Sequence, residues 1–158
     1  MGKKLLIFIA TSALLLQAQQ LKITAEHFEG DEAKGISVFT GNVKIKKGSD
    51  ELNASKVSIF INANKKPSKY VAEGNVSFFI KTESNATYRG TSQKAIFLPL
   101  KKEYQFFTDV HLFQINEHKE IDGDQVTVNT ALGQAKAVGG AKKPVTMVFD
   151  LSDNNESK

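Results

Sequence analysis

An all-β fold built from repeated strand units is predicted by three features of this 158-residue chain. Apolar and polar residues alternate with a period of two, the signature of a half-buried strand. Polar turn signals recur at short, even intervals. A Gly-Asn or Asp element returns after 33 and then 34 residues, as a stacked repeat would require.

The N-terminus is set apart from this pattern. Lys3 and Lys4 precede the apolar run Leu5 to Leu16, which is short for a membrane span. Ala18 follows, with Leu16 two positions before it, as a small-residue cleavage site. Residues 1–18 therefore read as a signal peptide, with an uncleaved signal anchor as the alternative. Cleavage would leave 140 residues and, without the two lysines, lower the formal charge from +4 to +2. Either way the rest of the chain is expected outside the cytoplasm, as a strand domain over 19–150. The last residues, 151–158, have the polar composition of a disordered tail.

Within the strand domain the alternation is clearest in Val43-Lys44-Ile45-Lys46, Val57-Ser58-Ile59, Val126-Thr127-Val128 and Val145-Thr146-Met147. Turns are expected at Glu29-Gly30-Asp31, Lys47-Gly48-Ser49-Asp50, Asn64-Lys65-Lys66-Pro67, Glu83-Ser84-Asn85 and Asn116-Glu117-His118. The repeat runs through Thr40-Gly41-Asn42-Val43, Glu73-Gly74-Asn75-Val76 and Thr108-Asp109-Val110, the last without its Gly. A second element lies between these: apolar, any, small, then apolar three further on. Ile23-x-Ala25-x-x-Phe28, Leu52-x-Ala54-x-x-Val57 and Ile121-x-Gly123-x-x-Val126 carry it, whereas Tyr88-x-Gly90 begins it and diverges. One such unit cannot bury its own apolar face. Units laid side by side build a continuous core with strand edges at both ends, an elongated object. The Gly-Asn pair marks a fixed bend or bulge, where Gly permits positive φ.

Composition excludes most chemistry. No cysteine is present, so disulfides, thiol nucleophiles and thiolate metal sites are absent together. His27, His111 and His118 lack the partners a zinc site needs. His111 lies between Val110 and Leu112 and is expected on the opposite face from both. Asp122-Gly123-Asp124 lacks the closing Glu of a calcium loop and reads as a turn. No Gly-x-Ser-x-Gly elbow occurs. The chain is expected to have no catalytic residue, metal or cofactor. The balanced charge after cleavage argues against nucleic acid. The lysine pairs, such as Lys46-Lys47 and Lys101-Lys102, suit either solvated turns or contacts with anionic phosphates.

The face left by this elimination is apolar. Eleven Phe, no Trp and three Tyr make the aromatic content almost purely greasy. Val43 and Ile45 share one face, as do Val57, Ile59 and Ile61. Val76, Phe78 and Ile80 follow, then Ile96 with Leu98, Val110 with Leu112, and Val126 with Val128. Val145, Met147 and Phe149 complete the set. This face is either an ordinary sandwich core or the lining of a slot that takes acyl chains.

With Phe39-Thr40-Gly41-Asn42-Val43, Ala54-x-x-Val57, Glu73-Gly74-Asn75-Val76, Asp122-Gly123-Asp124-x-Val126 and Lys143-Pro144-Val145-Thr146-Met147-Val148 in this order, the chain resembles a known family. That family is the LptA-like (OstA-like N-terminal domain) family of periplasmic lipopolysaccharide transport proteins, and the likeness spans roughly residues 21–150. It implies an open twisted antiparallel β-jelly roll that holds lipid A acyl chains against the apolar face above. It implies edge-strand pairing with LptC-like inner-membrane and LptD-like outer-membrane proteins, and head-to-tail association with like domains. The edges concerned would be Leu21 to Phe28 and Val145 to Leu151. Two alternatives stay open: a membrane-anchored LptC-like component, and a β scaffold that binds proteins only.

Overall fold

A computed structural model describes residues 20–151; the expected signal peptide and the tail from 152 lie outside the described residues. Among the described residues ten strands form one antiparallel sheet. They are β1 (Leu21–Thr24), β2 (His27–Asp31), β3 (Ile36–Lys47), β4 (Asp50–Ile61), β5 (Pro67–Lys81), β6 (Thr87–Leu98), β7 (Glu103–Gln114), β8 (Lys119–Asn129), β9 (Gln134–Val138) and β10 (Thr146–Phe149). From β3 to β8 each strand pairs with the next in sequence, a meander. At each end two short strands share one long partner: β1 and β2 both pair β3, and β9 and β10 both pair β8.

The long strands are folded across their middle, and the repeat is what folds them. Register breaks fall between Thr40 and Val43, between Glu73 and Val76, and between Phe107 and Val110. In each, two residues on one strand oppose one on its neighbour, a bulge that bends the strand. The bulged pairs are Gly41-Asn42, Gly74-Asn75 and Thr108-Asp109, with φ of +82° and +44°, +84° and +45°, and +66° and +49°. A left-handed backbone is cheapest for Gly and tolerable for Asn and Asp. The recurring Gly-Asn is thus a line of corners inside strands. Asp122-Gly123-Asp124, expected as a turn, also lies within a strand, at the same corner of β8. Glu29-Gly30-Asp31 ends β2, and the turn follows over 32–35.

Gly74 shows why the corner is specified. A Cβ there would meet Ser55 Oγ at 2.8 Å and Ser55 Cβ at 2.9 Å, on top of the φ cost. Gly74→Val is expected to lower stability by about 1–3 kcal/mol. A urea midpoint unchanged from wild type would contradict this account of the bend.

Folding along this line lays the two halves of the sheet against each other. Each half has an inward row that crosses every strand in register. In one half it runs Ile23, Ile45, Leu52, Phe78, Gly90, Leu112, Ile121, Met147. In the other it runs Phe28, Phe39, Val57, Ala72, Ala95, Phe106, Val126, Ala137. The rows meet where Phe78 stacks on Phe106, ring centroids 3.8 Å apart. Gly90 makes room for this, since a side chain there would run into the Phe78 ring and the His111 carbonyl.

The β6 strand corrects one expectation. Ile96 and Leu98 do not face the interior: Ala95 is buried and Phe97 packs on the core, so their neighbours in the alternation point outward. The cause is the diverged repeat. The small residue of this unit is Ser92, 2% exposed and paired with Val76, rather than Gly90. The element therefore reads Gly90-x-Ser92-x-x-Ala95, in register with Leu52-x-Ala54-x-x-Val57. The inward face changes parity across the corner of β6, from Tyr88, Gly90 and Ser92 to Ala95 and Phe97, so carrying the alternation straight through to Ile96 and Leu98 selects the wrong face.

Candidate functional site

The inward face is the candidate site, because it is where large apolar side chains from every strand converge. Val43, Val57, Ile59, Val76, Phe78, Ile80, Val110, Leu112, Val126 and Val128 are buried there. Ile45 and Ile61 pack against them, partly buried. Val145, Met147 and Phe149 stand differently from expectation: they are 37%, 43% and 52% exposed. Met147 pairs with buried Ile121 and so belongs to the inward row, but among the described residues no strand follows β10 to cover it. These three form a rim at the edge of the site, not its lining.

Several lining residues escape a reading based on Val and Ile alternation. Phe106 is fully buried, Tyr88 and Tyr104 nearly so, and Leu52, Tyr70 and Phe97 pack beside them. A signal for them does exist in the sequence. Phe39, Ala72 and Phe106 each stand four residues before the Val of their repeat. The two bulge residues between preserve parity, so both positions share a face.

Over most of its length the site is filled by its own side chains, and the halves are latched along the side opposite the bend. The Glu83 N–H donates to the Thr130 carbonyl at 2.9 Å, and Lys102 Nζ lies 2.6 Å from Glu83 Oε1. Farther along, the Tyr104 hydroxyl donates to Asp50 Oδ2 at 3.1 Å, while Asp50 Oδ1 accepts the Lys81 N–H at 2.9 Å. Burial, and then the Asp50 carboxylate, push the Tyr104 phenol far above its ordinary pKa, so it stays a neutral donor. Beyond Tyr104 the halves part around a narrow apolar cavity of about 40 Å³, lined by Leu21, Ile45, Leu52, Tyr70 and Phe97. Among the described residues the slot expected along the whole side is thus interrupted: it opens here and beside Phe28, Ser37 and Ile61, and it is closed where the latches hold the halves together. Elsewhere apolar side chains close on one another, because contact with each other is better than contact with water.

The outer face is polar and modest. Arg89 stacks over Phe113, 4.9 Å from its centroid, and His111 pairs with Asp122 well exposed to solvent. His111 thus points away from Val110 and Leu112. Among the described residues no group of His, Cys, Asp or Glu is arranged to hold a metal.

Both ends of the sheet expose apolar edges. Phe28 is 63% exposed at one end, and Val138, Met147, Val148 and Phe149 are exposed at the other. The first edge strand β1 and the last, β10, each present an unpaired side, a template for another strand.

Comparison with known proteins bears on this geometry. The family model described as LptA/(LptD N-terminal domain) LPS transport protein matches residues 22–134. The lipopolysaccharide export system protein LptA of Haemophilus influenzae is 28% identical over 160 residues, covering 97% of this chain and 91% of that protein. The crystal structure of LptH, the LptA-homologous periplasmic component of the lipopolysaccharide transport device of Pseudomonas aeruginosa, superposes with a TM-score of 0.74. Its sequence identity is 15%, with 84% of this chain and 96% of that one covered.

Proposed function

The chain belongs to the LptA/(LptD N-terminal domain) LPS transport protein family, and on that premise we propose that it carries lipopolysaccharide through the periplasm by sheltering acyl chains between its two inward rows. It acts as a transport component and not as an enzyme. The observation that supports the mechanism is continuity: both rows run from edge strand to edge strand with a side chain or a Gly at every step. Each methylene moved from water onto such a surface contributes about 0.8 kcal/mol. A few carbons of one chain therefore repay the opening of a latch made of a handful of hydrogen bonds, each worth roughly 1 kcal/mol net.

Edge pairing supplies the path between molecules. β10 of one domain would add to β1 of a like domain, and the same edges would meet LptC-like and LptD-like partners by β-augmentation. The inward row would then continue from Met147 of one domain to Ile23 of the next. The energy for directional movement must come from a partner, since the chain has no nucleotide-binding motif.

Photo-crosslinking tests the carrier reading. A crosslinker placed at Phe78 is expected to label lipid A, and one placed at Arg89, on the outer face, is not. Equal labelling from both positions, or none from Phe78, would overturn it. The signal peptide is expected to be cleaved after Ala18, so the purified periplasmic form should begin at Gln19 by intact mass. A retained N-terminus would favour the membrane-anchored alternative.

A further inference from the structure

The parted stretch of the seam carries a second, polar feature directly above the apolar cavity. A wider cavity of about 490 Å³ opens there to solvent and shares Lys47, Asp50, Phe97 and Tyr104 with the narrow one. Lys81 and Lys102 also line it. Lys47 follows Val43 and Ile45 on the inward side of β3, so a cation closes an otherwise apolar column. Its ammonium rests 5.5 Å from the centroid of the Phe97 ring. Lys102 is paired with Glu83 and Lys46 with Glu51, but among the described residues Lys47 has no carboxylate within ion-pair distance. Asp50, its cross-strand partner, is engaged by the Tyr104 hydroxyl and the Lys81 amide instead. The result is a cation with no ion-pair partner among the described residues, held over an aromatic ring at the mouth of a greasy slot.

We propose that this mouth is a headgroup-reading gate for a phosphorylated acyl glycolipid: Lys47 leaves the Phe97 ring to meet a lipid phosphate, the Tyr104–Asp50 hydrogen bond opens, and the acyl chain enters between Leu52 and Phe97. This rests on the carrier reading and specifies its entrance. The arrangement matches an amphiphile whose phosphate sits a few bonds from its acyl chains, because cation and slot share the same rim. The cation–π contact of an exposed ammonium is weak. A charge-assisted bond to phosphate is stronger, so the exchange favours the ligand. The narrow cavity has room for the first atoms of a chain, and further entry must separate the rows by unlatching Tyr104 from Asp50.

The test compares bisphosphorylated lipid A with the same lipid A after removal of both phosphates, using the mature chain. Wild type is expected to bind the phosphorylated form about tenfold tighter. Lys47→Gln should lose that preference, and Lys47→Arg should keep it. Tyr104→Phe, which removes only the latch hydroxyl, should speed uptake of the phosphorylated lipid several-fold in stopped-flow mixing. Near-UV circular dichroism checks that each variant is folded. If Lys47→Gln discriminates between the two lipids as wild type does, or if Tyr104→Phe takes up lipid no faster, the gate is wrong while the carrier stands. If wild type binds neither lipid, the carrier reading falls and the gate with it.

Discussion

Phe106→Ala is expected to cost about 3–5 kcal/mol of stability, the upper range for a large aromatic removed from a core. Phe106 is fully buried, stacks on Phe78 across the fold and lies between Ala95 and Val126 in its own row. Its row neighbours are small or branched, so neither can swing into the space left behind. The ring is also the contact that joins the two rows, and its loss removes packing from both halves at once. For a domain of this size the melting temperature should fall by roughly 10–20 °C. Thermal melts followed by circular dichroism measure this directly. A loss below about 1 kcal/mol would mean that the halves do not meet at this ring pair. Phe78→Ala should behave similarly, and the double variant should cost less than the two singles together, because each removes the same stack.

Met147→Asp should leave folding nearly untouched and weaken the proposed head-to-tail association by at least a hundredfold. Met147 is 43% exposed on the edge strand, so the single domain loses little when it changes. In an assembly the same position would be enclosed, continuing the inward row across the joint. Burying a carboxylate there without a partner costs several kcal/mol, and about 2.8 kcal/mol already corresponds to a hundredfold in the association constant. Val148→Asp supplies the control, since Val148 pairs with Glu120 on the outer face, where water remains. Sedimentation equilibrium at matched concentrations should show wild type and Val148→Asp associating alike and Met147→Asp monomeric. Equal weakening by both substitutions would remove the idea that an apolar row runs from one domain into the next.

The two predictions address different surfaces of one object, and together they separate stability from assembly. Phe106 acts through packing inside a domain, and Met147 would act only in the proposed pairing with a second strand. The seam latches fall between these. Tyr104, Asp50, Glu83 and Lys102 hold the halves by a few polar contacts that water can replace, so on the carrier proposal they would set how readily the interior opens.

Strand identity and the place of each corner were written in the sequence, because both are local properties. Alternation of Val43 with Lys44 and Ile45 fixes one inward face whatever lies opposite. Gly41-Asn42 and Gly74-Asn75 demand a left-handed backbone on the spot, and Val43, Val76 and Val110 follow those corners into the core. The family resemblance rested on the same residues. Tertiary structure alone decided the facing of Ile96 and Leu98, since the change of inward parity on β6, from Ser92 to Ala95, is set by pairing with Val76 and Ala72 on either side of the bulge in β5. It also decided that Val145, Met147 and Phe149 form a rim, because burial depends on whether another strand lies beyond them. The Tyr104–Asp50 latch joins residues 54 positions apart, and no local pattern encodes such a contact. Alternation and backbone handedness act over a few bonds and can be read along a chain, whereas register, enclosure and latching depend on which distant segment supplies the neighbour.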